Sequence, residues 1–135
     1  MKITGACNCG NVRYSIDGKV RPIVACHCRQ CRKQTGHYYA ATNVLDTDLK
    51  IIDAGSLKWY EASDTAKRGF CGECGSALFW KRNESTTTSV LAGSLDGEPG
   101  LEMESHIFVE DKGDYYEITD GLPQHAQSDN YQKRS

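Results

Sequence analysis

Hydrophobic and polar positions alternate over short runs along most of this chain. In GNVRYSI, residues 10–16, Val12, Tyr14 and Ile16 share one face at a period of two, the pattern of a half-buried strand. HYYAATNVL (37–45), SLKWYEA (56–62) and SALFWKR (76–82) are rich in aromatic residues and carry shorter alternating stretches. TTSVLAGS (87–94), HIFVE (106–110) and DYYEI (114–118) follow the same style. Asp17-Gly18, Ala54-Gly55, Asp96-Gly97, Lys112-Gly113 and Asp120-Gly121 mark turns between these runs. Only RQCRKQTG, residues 29–36, suits a helix, a short one ended by Gly36. The pattern predicts a mainly β single domain with little helix over residues 1–123. A polar tail, 124–135, follows and is expected to be mobile.

Bulk composition narrows the partners. A chain of 135 residues makes one domain and buries roughly two-thirds of its unfolded surface. Charged residues are 25% and the net charge is −2, which leaves no basic excess for a nucleic-acid partner. No apolar run approaches membrane-spanning length, and MKITGAC lacks the apolar segment of a signal peptide. The expected setting is the cytoplasm, with a small-molecule partner and neither nucleic acid nor membrane.

Cysteine changes the picture most. Seven is an odd number for disulfides, and scattered core thiols have no reason to cluster. Yet they fall as Cys7 and Cys9; Cys26, Cys28 and Cys31; Cys71 and Cys74. Cys71-Gly-Glu-Cys74-Gly75 has the spacing of a zinc knuckle, with a glycine for the left-handed turn after the second thiol. Cys7-Asn-Cys9-Gly10 is a tighter version. Together the two pairs suit one structural four-thiolate site, for which zinc is the best-matched ion.

Cys26, Cys28 and Cys31 remain, in ACHCRQC. Three protein ligands with one replaceable position is the pattern of catalytic zinc, whereas four make a closed structural site. His27, His37 or His106 could close it; His27 is the poorest choice, since its neighbours on both sides bind and its ring would point away. An open three-thiolate site is a weak Lewis acid for water but would accept a substrate thiol as a fourth sulfur, leading to carbon–sulfur bond chemistry. Arg29, Arg32, Lys33 and Arg68 could pair with the carboxylates of an anionic thiol or be ordinary solvated cations. A non-catalytic zinc module that engages a macromolecule, or a thiol or metal sensor, would use the same cysteines.

GACNCGNVRY, ACHCRQCRKQTG, RGFCGECGSALF, AGSLDG, SHIFV and DGLP, in that order, resemble the glutathione-dependent formaldehyde-activating enzyme family, which includes centromere protein V-like domains. The resemblance spans residues 5–123. It implies a zinc-stapled fold of antiparallel sheets, the β-tent. It also implies two zinc ions per chain, a structural one on Cys7, Cys9, Cys71 and Cys74 and a catalytic one on Cys26, Cys28 and Cys31. The implied activity is that of a carbon–sulfur lyase: glutathione, bound to zinc as thiolate, condenses with formaldehyde to S-(hydroxymethyl)glutathione.

Overall fold

The computed structural model describes residues 2–128, and the last part of the predicted tail, 129–135, lies outside the described residues. Ten strands and one helix make up the regular structure of the described residues. They are β1 (Lys2–Ala6), β2 (Arg13–Asp17), β3 (Ile23–Cys26), α1 (Arg29–Thr35), β4 (Tyr39–Leu45), β5 (Leu49–Asp53), β6 (Leu57–Glu61), β7 (Ala66–Cys71), β8 (Ala77–Arg82), β9 (Thr87–Leu91) and β10 (Met103–Ile107). A three-stranded sheet has the order β1-β2-β5; a seven-stranded sheet has the order β10-β3-β4-β9-β8-β7-β6. Neighbours are antiparallel except β10 and β3, which run parallel. The expected mainly β fold is therefore present, with one parallel pair added. No helix among the described residues is long and apolar enough to cross a membrane.

Alternation along the strands decides where each face looks. Val12, Tyr14 and Ile16 are fully buried, as their spacing predicts, and pack with Val44, Phe79 and Val90 of the large sheet. Tyr14 meets Phe79 edge-on with ring centres 5.3 Å apart, and its hydroxyl reaches Ser94 Oγ at 2.5 Å. On β4, Val44 joins this core while Tyr39, Ala41 and Asn43 face the opposite side, where they line a cavity. The large sheet thus has one face in the core and one face toward a site.

Several sequence-predicted elements shift, each for a local reason. DYYEI (114–118) is not a strand, because Tyr115 and Tyr116 spend their rings on histidines, Tyr115 on His37 and Tyr116 on His27 and His37. That tertiary packing outweighs their β preference. HIFVE (106–110) is displaced: the strand runs 103–107, and Phe108, at φ 55°, turns the chain into a 3-10 turn at Val109–Asp111. β9 stops at Leu91, and Ala92–Ser94 form another 3-10 turn. The helix forms as expected, with Gly36 at φ 84° as its cap. Strands β3, β5 and β7 carry no clean alternation and are visible only in their pairing. At the start of the tail, Gln124 bridges to His106, and the His125 N–H donates to the His106 carbonyl at 2.9 Å.

Gly5 pairs with Tyr14 across β1 and β2 and lies against its ring. A Cβ there would lie 2.2 Å from the Tyr14 ring and 2.6 Å from the Ser94 carbonyl oxygen, and backbone cannot yield as a flexible side chain does. Gly5→Ala should therefore destabilise the protein by about 2 kcal/mol or more. Urea denaturation measures this, and an unchanged midpoint would show that Tyr14 can leave its place freely.

Candidate metal centres

The two predicted pairs come together. The sulfurs of Cys7, Cys9, Cys71 and Cys74 all lie within 4.8 Å of one another. Each pair arrives on a turn: Cys7 follows β1, and Cys71 ends β7 ahead of Gly75 at φ 79°. Hydrogen-bond donors surround the sulfurs. The Val12 N–H donates to Cys7 Sγ at 3.2 Å and the Cys74 N–H to Cys71 Sγ at 3.5 Å. Ser56 Oγ stands 3.0 Å from Cys71 Sγ, and Ser76 Oγ stands 3.1 Å from Cys74 Sγ. The Ser76 hydroxyl and backbone donors hold the Cys74 thiol down to about 5. Cys9 goes the other way: the Asn11 N–H favours its thiolate, but partial desolvation and hydrogen bonding with the sulfurs of Cys7, Cys74 and Cys71 together push the thiol up to about 12.

Cys26, Cys28 and Cys31 form the second group, also within 4.8 Å. Cys26 closes β3, Cys28 is the N-cap of α1, and Cys31 lies in its first turn. The Cys31 N–H donates to Cys28 Sγ at 3.3 Å, and Cys31 Sγ is 3.4 Å from Cys26 Sγ. The sulfurs compete for one negative charge. Hydrogen bonds from Cys26 and Cys31 push the Cys28 thiol far down, while the bonds to Cys28 and Cys31, with burial, push Cys26 far up. Fully ionised, either group would be a knot of like charges. A soft dication removes that repulsion and needs ligands of this type and number, so both groups fit zinc.

No histidine, aspartate or glutamate joins either group among the described residues. His27 turns its ring away from its cysteine neighbours, as its position in the sequence predicts. Its Nδ1 meets the Tyr116 hydroxyl and its Nε2 lies 2.9 Å from His106 Nδ1. His106 Nε2 lies 2.7 Å from Asp120 Oδ2, and His37 Nδ1 lies 2.5 Å from the Tyr115 hydroxyl. All three histidines that could have closed the triad are engaged elsewhere.

What does lie beside the triad is a cavity of about 420 Å³, within the usual size range of small-molecule sites. Its floor is the outer face of the large sheet: Tyr39, Ala41 and Asn43 of β4, Ser89 of β9, Trp80 of β8 and Arg68 of β7. Phe108, turned by its positive φ, lines it as well. Of the basic residues singled out in the sequence, Arg68 alone lines this cavity. Arg29, Arg32 and Lys33 instead line a separate groove with Gly36 and Tyr115. Arg21 and Arg82, which no motif marks, also border the cavity, and only the folded chain reveals them.

Comparison with known proteins gives one family and one fold. Residues 2–111 match the family described as glutathione-dependent formaldehyde-activating enzyme. A protein of solved structure from Rhodobacter sphaeroides superposes with a TM-score of 0.57 at 24% identity, covering 74% of this chain and 97% of that one. At that identity the likeness concerns the fold alone. No curated protein matches the chain. The family match covers most of the chain, and both cysteine groups that carry the resemblance assemble in space. The chain belongs to the glutathione-dependent formaldehyde-activating enzyme family.

Proposed function

We propose that this protein is a zinc-dependent carbon–sulfur lyase-type enzyme that joins a thiol such as glutathione to an aldehyde such as formaldehyde, or separates them. The observation that carries this reading is the three-sulfur group on the wall of a cavity, which no fourth protein ligand joins among the described residues. In this reading Cys26, Cys28 and Cys31 hold the catalytic ion, and Cys7, Cys9, Cys71 and Cys74 hold the structural one. A zinc ion at the triad supplies a soft Lewis acid that keeps a substrate thiol deprotonated near neutral pH.

The chain's own residues do the rest. In the reaction the thiol sulfur bonds to the aldehyde carbon, the carbonyl electron pair moves to oxygen, and that oxygen takes up the proton the thiol released. Tyr39, Ala41, Trp80 and Phe108 give the cavity apolar walls that limit water around the reacting carbon. Gln30, Asn43 and Ser89 offer the hydrogen-bonding groups that fix a polar substrate. Val12, Ser56 and Ser76 have a different task, donating toward the structural cage and orienting its sulfurs. The setting we propose is the cytoplasm, because seven cysteines outside disulfides suit a reducing compartment.

The two sites should fail differently. Cys28→Ser should lower the catalysed rate of glutathione–formaldehyde exchange about a hundredfold or more, with the circular dichroism spectrum retained. Exchange measured by NMR on zinc-loaded protein, against the spontaneous background, decides this. Exchange no faster than background in the intact protein, with both zinc ions confirmed, would sink the proposed chemistry.

Cys71→Ser should instead unfold the protein, because a structural zinc can contribute on the order of 10 kcal/mol and a domain's whole stability is of that size. Thermal melting with zinc analysis checks it. A Cys71→Ser protein that melts like the parent would refute the structural assignment.

A further inference from the structure

Arg68 is a buried cation that makes no ion pair with a carboxylate among the described residues. It is 6% exposed, on β7, with its side chain on the cavity face. Its Nε donates to Gln30 Oε1 at 2.9 Å and its Nη2 to Cys31 Sγ at 3.4 Å. The guanidinium carbon stands 5.2 Å from the centre of the Tyr39 ring. Nη1 is buried and has no hydrogen-bond partner. Arg21, Arg68 and Arg82 are the charged side chains of the described cavity lining, and no aspartate or glutamate is among them.

A guanidinium taken out of water needs an opposite charge, and here a cysteine sulfur is what it touches. Three thiolates around a dication leave one net negative charge, which would oppose the entry of a fourth, anionic ligand. The guanidinium cancels it. Its planar fork holds Gln30 and Cys31 on two of its nitrogens, which leaves the third as a spare donor for an anion.

We propose that Arg68 sets the charge of the ligand that the three-cysteine site accepts. It neutralises the loaded triad so that a thiolate can enter, and its Nη1 receives a carboxylate of the same substrate. This rests on the open-site reading above and goes further, since it assigns the substrate class: a thiol with a carboxylate near its sulfur is favoured over one with an ammonium group. Arg68 acts on binding through charge and position; the three cysteines remain the groups that would hold the ion.

The test uses cobalt(II)-loaded protein titrated with mercaptopropionate and with cysteamine, two small thiols of opposite charge. Sulfur-to-cobalt charge-transfer absorption reports binding, and metal analysis reports occupancy. The intact protein should bind mercaptopropionate at least about tenfold more tightly than cysteamine. Arg68→Gln should lose that preference while cobalt content and melting temperature stay unchanged, and Arg68→Lys should keep part of it. An Arg68→Gln protein with the original preference would overturn the proposal. So would one that loses cobalt, because Arg68 would then be holding the triad together rather than selecting its ligand. If the intact, fully loaded protein binds neither thiol, the open site itself is refuted, a result distinct from both.

Discussion

Seven sulfur atoms gathered into two knots are the constraint on which this structure turns. Neutral thiols gain little from such crowding, and thiolates repel one another strongly in a medium of low dielectric constant. The fold nevertheless brings Cys7 and Cys9 against Cys71 and Cys74 from distant parts of the chain, and sets hydroxyl and amide donors around them. A cation reconciles those facts. An ion held there would fix the end of β1 to the end of β7 and hold the small sheet over the core face of the large one.

That arrangement leaves the outer face of the large sheet for chemistry. Alternation on β4 sends Val44 to the core and Tyr39, Ala41 and Asn43 to the cavity, so one strand serves stability and recognition at once. The triad sits at the point where β3 passes into α1. The N-cap position of Cys28 and the place of Cys31 in the first turn bring the three sulfurs together within one short segment. Behind that loop, the line from Tyr116 through His27 and His106 to Asp120 occupies the histidines and ties the segment after residue 112 to it. None of these four residues lines the cavity, whereas the three cysteines do.

Much of this was legible in the residues themselves. A metal cage depends on ligand type and local spacing, both of which a sequence states directly, so both cysteine groups could be drawn before any coordinates. Val12, Tyr14 and Ile16 likewise announced a strand with one buried face. Other features depend on contacts between distant segments. β7, AKRGFC, lacks alternation because Arg68 serves the cavity and Gly69 lies under Trp59 and Phe79. Tyr115 and Tyr116 have the composition of a strand but the role of packing partners for histidines. Among the basic residues, the conspicuous group Arg29, Arg32 and Lys33 faces another groove, whereas Arg68, far from the triad in the sequence, touches it.

The central claim is that one zinc site is closed by four cysteines and the other is open with three. X-ray absorption at the zinc edge, on protein loaded with two ions, tests it directly when recorded with and without added glutathione. The account predicts shells of sulfur with no imidazole signature, and an average sulfur count that rises toward four per zinc when the thiol is added. Histidine in the zinc shell, or a sulfur count that stays the same after saturating thiol, would contradict it.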